Sequence, residues 1–281
     1  MALWLIAILT ISKTHFSCQL IVDPPQSGAW NMSVDEALLH EAANDGLAAL
    51  RFYEWNEPTL SLGYFQKYAE RARHPASANA VMVRRQSGGG AILHDHELTY
   101  SLALPRKHPL AVDAQSLYKI VHEVIAAVLR SYLPQSDPSR AIRFAQGVKV
   151  GQFGPVVEKV IEPFLCFQRR STGDLVFVPE QGNRAEDHKI VGSAQRRSRG
   201  AVLQHGSILL RRSEYAPELA GLCDLCDNTV TTTYLTSELS ARLPEAVGVE
   251  VCERTLSNPG RALAVTLQDD KYGNPAWNQR R

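Results

Sequence analysis

The chain has 281 residues, 44% of them hydrophobic and 21% charged, with a formal net charge of +1. That is the composition of a soluble globular protein, long enough for one large domain with a real core. A near-neutral balance lacks the Lys and Arg surplus of a general nucleic-acid binder, so no nucleic-acid partner is expected.

Five scattered cysteines, an odd number, imply free thiols in a reducing compartment, here the cytoplasm. Cys223 and Cys226 form a lone CxxC with no second pair at zinc-ribbon spacing, so no metal is expected there. Residues 1–11 are apolar, but no Lys or Arg precedes them. The run also falls short of the roughly 20 residues a spanning helix needs. Residues 1–17 therefore read as an extension with no assigned role, without stable membrane association, and residues 18–281 as a single domain.

In chain order, residues 20–22 predict a short strand and 23–28 a turn rich in helix breakers. Asn31 then caps a helix whose apolar positions Met32, Val34, Leu38 and Leu39 run until Gly46 stops it. Residues 50–55 alternate as a half-buried strand, and 59–66 predict a second after Pro58. Residues 81–83 lead into Gly88-Gly89-Gly90, and 91–93 lead out as another strand. After a strand at 98–104, residues 116–133 carry the longest helical pattern, with Leu117, Ile120, Val121, Val124, Ile125, Val128 and Leu129 on one stripe. Residues 134–154 read as loop, and 163–167 and 174–178 as short strands. Residues 179–188 read as a hydrophilic surface loop. Residues 189–194 and 201–210 should pair around a turn at 196–200, followed by helices at 234–247 and 249–263. The order predicts an α+β fold, a mixed β-sheet flanked by helices.

Three consecutive glycines are costly between apolar runs unless something must lie against the backbone. No Gly-Lys-Ser/Thr follows them, which excludes a Walker loop, and no helix pattern follows, which excludes a dinucleotide fingerprint. An ordinary glycine-rich hairpin stays open as a reading. Arg84, Arg85 and Ser87 precede the triplet and His94 follows it.

The stretch from Arg84 to Asp95, with Glu97-Leu98-Thr99-Tyr100-Ser101 after it, resembles the signature of the lipoate and biotin protein ligase superfamily. Lys189-Ile190-Val191-Gly192-Ser193-Ala194-Gln195 and Leu203-Gln204-His205-Gly206-Ser207 resemble a second one. Cys166-Phe167 ahead of the lysine is most similar to the cysteine-dependent octanoyltransferase branch. The likeness covers roughly residues 19–281. It implies a class II synthetase-like fold and an enzyme of protein lipoylation, an acyltransferase that moves octanoyl from acyl carrier protein to a lysine of a lipoyl domain or glycine cleavage H protein. Both partners resemble acidic proteins that carry their group on a flexible arm. No cofactor is implied by this branch.

On that resemblance Cys166 is the candidate nucleophile and Lys189 its cationic partner. A thiol is mostly protonated at neutral pH, so an adjacent ammonium raises the reactive fraction and then holds the oxyanion. Arg84, Arg85, Ser87, Gly88, Gly89, Gly90, His94, Gly192, Ser193, Ala194, Gln195 and His205 are the candidate substrate-binding residues. Backbone N–H groups around Gly88–Gly90 or Gly192–Ser193 are candidate oxyanion donors. An octanoyl chain burying about seven carbons would contribute very roughly 5 kcal/mol at ~0.8 kcal/mol per methylene, which calls for an apolar tunnel. Arginine clusters at 84–85, 169–170 and 196–199 flank the motifs and could meet the acidic partners. Three other readings share the motifs. An ATP- and magnesium-dependent lipoate ligase would need no cysteine, an amidotransferase would move octanoyl between lipoyl domains, and a non-catalytic acyl-binding module would only keep the fold.

Overall fold

A computed structural model describes residues 16–133, 141–146, 162–178, 187–226 and 229–280. It begins with β1 (Phe16–Val22), α1 (Gly28–Asn44), β2 (Ala48–Tyr53), β3 (Thr59–Leu62), β4 (Val81–Arg84), β5 (Ile92–His94) and β6 (Glu97–Leu104). Then come the single turn α2 (Pro109–Val112), α3 (Ala114–Tyr132), β7 (Ala141–Phe144), β8 (Leu175–Val178), β9 (His188–Ser198) and β10 (Ala201–Leu209). The chain closes with α4 (Leu222–Leu225), α5 (Thr232–Val247), β11 (Val249–Glu253), α6 (Asn258–Leu267) and α7 (Pro275–Asn278).

Eight strands form one mixed sheet in the order β11-β1-β2-β6-β10-β9-β8-β7. The β1 strand runs parallel to both neighbours, and the pairs from β2 to β7 are antiparallel. Side chains alternate between the two covered faces, as a pleated strand requires. Leu50, Phe52, Leu98, Leu102, Val202 and Ile208 pack against α3 and α5. Ala49, Ala103 and Leu203 pack against Val34 and Leu38 of α1 and Ala264 of α6. The expected α+β architecture of a mixed sheet flanked by helices is the observed one. Among the described residues no helix is long and apolar enough to cross a membrane.

Several local expectations change. Ser27, not Asn31, caps α1, its Oγ accepting from Trp30 N at 3.3 Å. Asn31 is buried inside the helix and binds Arg51. The β1 strand starts at Phe16, two residues inside the segment read as an extension; residues 1–15 lie outside the described part. The loop reading of 134–154 misses β7; of the surface loop read at 179–188, residues 179–186 lie outside the described residues and His188 already opens β9. The β9–β10 turn is tighter than expected: Ser198 pairs with Ala201, leaving Arg199 (φ 50°) and Gly200 (φ 88°) as a two-residue turn with both φ positive. Finally, residues 249–263 are not one helix. Gly248 ends α5 at φ 75°, and Val249–Glu253 pairs with β1 as the edge strand β11.

The glycine triplet does not close a hairpin. The β4 and β5 strands lie on opposite sides of β3 in a second, three-stranded sheet, parallel and antiparallel to it. The loop between them therefore has to pass over the end of β3, and this brings it to the site.

Candidate active site

Cys166 does not sit in a strand. It opens a single 3-10 turn, Cys166–Gln168, after Phe164 and Leu165 have buried themselves under the β4-β3-β5 sheet. The thiol's segment is pinned to the glycine loop by two backbone bonds, Ala91 N to Phe164 O at 3.0 Å and Cys166 N to Ala91 O at 2.7 Å. Gly90 makes this approach possible, because a Cβ there would stand 3.0 Å from Phe164 O and 3.1 Å from Cys166 N.

Lys189 reaches the same place from the start of β9. Pairing between β8 and β9 slips at Ile190, since Leu175 faces Val191 and Val176 faces Lys189. Such a bulge re-aims neighbouring side chains. The Lys189 side chain then folds back over Gly192, where a Cβ would lie 2.4 Å from its Cε and 2.8 Å from its Nζ. This is the physical reason for a glycine three residues after the lysine. Three acceptors surround the ammonium: Asp174 Oδ2 at 2.8 Å, Cys166 O at 3.5 Å and Cys166 Sγ at 3.9 Å. They match its three donors. The ion pair is buried on both sides, so Asp174 holds the charged lysine at the sulfur.

Asp174 is a site residue the sequence reading missed. Its other contacts are Tyr118 Oη, which donates at 2.7 Å, and Ser171 N, which donates at 2.7 Å. Burial and the Asp174 charge push the Tyr118 hydroxyl far above its ordinary value, so it stays protonated as that donor. The Tyr118 oxygen in turn accepts from Ser193 N at 3.2 Å. That engagement removes Ser193 N–H from the candidate oxyanion donors.

A cavity of about 330 Å³ joins these groups. Its walls include Cys166, Lys189, Arg85, Gly88, Gly89, His94, Gly192, Ser193, Ala194, Gln195 and His205. Met32, Tyr53, Ile92 and Phe167 give apolar surface, but Thr99 and Ser207 also face in. The wall is mostly apolar with polar groups set into it. A second cavity of about 680 Å³ shares Tyr118, Thr172, Ser193, Ala194 and Gln195 with the first.

Three of the expected binding residues stand behind the wall. Arg84 is fully buried and gives its donors to the carbonyls of Gly63, Gln66, Asn278 and Arg280. A guanidinium so fully used ties the C-terminus to the glycine loop and does not face the cavity. Gly90 acts through the close approach described above. Ser87 bonds to His205 Nε2 at 2.5 Å, and His205 Nδ1 to Asp35 Oδ2 at 2.9 Å. Arg85 does line the cavity and clamps the loop, donating to Ser61 O at 2.8 Å and to Gly88 O and Gly90 O at 2.7 Å each. Burial pulls the Arg85 guanidinium down to about 10, with the nearby Cys166 partly offsetting this, and it remains a cation at neutral pH.

His94 stacks on Trp55 at 3.9 Å and 11°. Its Nδ1 lies 2.7 Å from Glu97 Oε1, which also accepts from Thr99 and Ser207. A carboxylate can only accept, which assigns the proton to Nδ1. Nε2 is buried with no hydrogen-bond partner among the described residues.

Next to this cluster, one turn on from Tyr118 in α3, His122 is buried between Gly173 O (Nδ1, 2.8 Å) and Ser193 Oγ (Nε2, 2.7 Å), and Ser193 Oγ also meets Tyr100 Oη at 2.7 Å. Burial pushes the imidazole down to about 4, against smaller upward pulls from Gly173 and Asp174. Such a histidine takes up a proton on unfolding, so stability should fall as pH drops from about 6.5 toward 4. The expected results are an NMR titration of His122 near pH 4 and a urea midpoint that declines over that window. The decline should weaken in His122→Gln.

The polar network explains why β10 carries Gly206 opposite Tyr100: a Cβ there would lie 2.1 Å from Ser193 Oγ. Asp35, His122 and Asp174 gave no local signal, because their main side-chain partners lie far off in the chain; Glu97, by contrast, sits in the motif after the glycine loop and meets His94 and Thr99 within three residues.

The chain is similar to several known proteins. The octanoyltransferase LipM of Geobacillus kaustophilus is 30% identical over 278 residues, covering 90% of this chain and 94% of its own. The octanoyltransferase LipM of Bacillus anthracis is 29% identical over 288 residues, covering 91% and 95%. Among solved structures, a bi-partite lipoate protein ligase of Thermoplasma acidophilum, described with its E2 lipoyl domain, superposes with a TM-score of 0.65. It is 19% identical, and the match covers 94% of this chain and 97% of that one, a likeness of fold. The profile of the lipoyl protein ligase A/B catalytic domain matches residues 27–216. By that match, which spans the glycine loop, the cysteine and the lysine, the chain belongs to the lipoyl protein ligase A/B catalytic domain family.

Proposed function

We propose that the protein is an octanoyltransferase of protein lipoylation that carries the acyl group on Cys166. The observation that carries this reading is the thiol of Cys166 on a cavity wall, 3.9 Å from the ammonium of Lys189. A ligase working through an acyl-adenylate has no use for that pair, and the relatives named above are octanoyltransferases over nearly their full length.

In the first half-reaction the Cys166 sulfur attacks the thioester carbonyl of octanoyl-acyl carrier protein, and the carrier thiol leaves with a proton. In the second, the lysine amine of a lipoyl domain attacks the acyl-enzyme, a C–N bond forms and the C–S bond breaks. The lysine arrives as an ammonium and loses two protons, one to the departing Cys166 sulfur and one to solvent. Each half-reaction passes through a tetrahedral oxyanion, which Lys189 and the glycine-loop N–H groups would stabilise. His94 Nε2, an open acceptor on the wall, would orient the incoming amine. Asp174 is a positioning residue that holds the Lys189 side chain in place.

The test is incubation with octanoyl-acyl carrier protein without ATP, read by intact mass. The expected result is a gain of one octanoyl group that hydroxylamine removes, followed by its transfer to a lipoyl domain. No adduct, with modification of a lipoyl domain only from free octanoate and ATP, would replace this reading by the ligase.

A further inference from the structure

The turn after β3 carries Phe65, which is 68% exposed and the one aromatic among the exposed large hydrophobic residues described. Phe65 lies edge-on to Tyr64 at 4.8 Å. The Arg280 guanidinium sits 4.1 Å from the Tyr64 ring centroid and 3.6 Å from that of Trp277, and Arg196 sits 5.3 Å from Tyr64. Arg280 Nε and Nη2 are buried with no hydrogen-bond partner among the described residues, so this guanidinium lends the patch its charge more than its donors. Arg196 and Lys67 beside this group are exposed, and no carboxylate pairs with any of the three cations among the described residues. An exposed aromatic beside a Tyr64 ring that carries two arginines without carboxylate partners among the described residues has the composition of a binding hot spot for an acidic surface.

The patch borders the site. A Cβ on Gly88 would touch Phe65 Cδ2 at 3.9 Å, and a Cβ on Gly89 would lie 4.0 Å from Cys166 Sγ. Chain geometry then bounds the distance from the Phe65 ring to the sulfur at about 15 Å. A lysine side chain extends only ~6 Å from its Cα, so a protein delivering a lysine amine to the sulfur must dock its body at this range. A carrier protein whose thioester rides on a long arm need not.

Resting on the octanoyltransferase reading, we propose that the patch of Tyr64, Phe65, Arg196 and Arg280 is the docking surface for the acceptor, an acidic domain presenting its lysine at an exposed turn. It acts in the second half-reaction and not in the first.

The two half-reactions separate the outcomes. Phe65→Ala and Arg196→Glu, both at exposed positions, are loaded from octanoyl-acyl carrier protein and then discharged to a lipoyl domain, each step followed by intact mass. The expected result is loading at the wild-type rate with discharge kcat/KM at least tenfold lower, while a small lysine amide discharges all variants equally. Slower loading with normal discharge would assign the surface to the donor and overturn the proposal, as would two unchanged steps. If the wild-type protein fails to load at all, the octanoyltransferase reading falls, which is a separate result.

Discussion

Cys166→Ala is expected to abolish the acyl-enzyme and reduce octanoyl transfer on the order of 10³-fold or more, since nothing else on the cavity wall offers a comparable nucleophile. Lys189→Met should load slowly, by roughly 10²- to 10³-fold, the usual cost of losing one transition-state charge donor. The two variants differ in a way that identifies their roles. The alanine leaves no thioester at any time, whereas the methionine still reaches full loading, because the sulfur is intact and only its approach to the transition state is impaired. Asp174→Asn should fall between Lys189→Met and wild type: the lysine keeps its position over Gly192 but loses the 2.8 Å counter-charge that holds it beside the thiol. Intact mass against time, with far-UV circular dichroism to confirm folding, reads all three. A Cys166→Ala protein that transfers octanoyl at the wild-type rate would remove the thioester from the mechanism.

The chemistry of this site was legible in the sequence to an uneven degree. Gly89, Lys189 and Gly192 were readable because their constraint is local: the Arg85 and Lys189 side chains come within about 3 Å of where a Cβ would stand on a glycine three or four residues on, whereas Gly90 is constrained from far off by Phe164 and Cys166 and was readable only as part of the triplet. Cys166 was readable only by its place ahead of the lysine, and its surroundings were misread as a strand. Phe164 and Leu165 are apolar because they pack beneath the small sheet, not because they extend a ladder. The reading of residues 249–263 as helix failed where period two should have decided it. Val249 and Val251 alternate with Glu250 and Cys252 after a left-handed Gly248, the pattern of an edge strand with one face toward water. Asp174 and Asp35 could not be ranked from the sequence at all. A lone carboxylate in a helix or at a strand end looks the same whether it is solvated or holds a buried cation, and only the register of distant strands separates the two.

Asp35→Ala is expected to cost about 3–5 kcal/mol of stability, the largest effect of any substitution away from the thiol. Asp35 lies between α1 and the sheet, 1% exposed. It pairs with Arg51 at 3.1 Å and accepts from Ser101 at 2.6 Å, Tyr53 at 3.0 Å and His205 at 2.9 Å. Burial alone would raise its carboxyl, but His205, Arg51 and Ser101 outweigh it and hold the group below its ordinary value. Its contribution to stability is therefore present above about pH 4 and lost as pH falls further. Removing the carboxylate leaves Arg51, 0% exposed, with one carboxylate fewer, and frees His205 from the bond that orients it toward Ser87 and the glycine loop. Since the loss arises from a buried guanidinium left with Asp23 as its one carboxylate partner, Asp35→Leu with Arg51→Met should be less destabilised than Asp35→Ala alone, even though two residues have changed. Urea denaturation of the three proteins checks this. A double variant worse than the single one would mean that packing, not charge, dominates this layer. The rate of Cys166 loading in the double variant then shows how far the Asp35–His205–Ser87 chain, and not the stability of α1, keeps the glycine loop in its reactive shape.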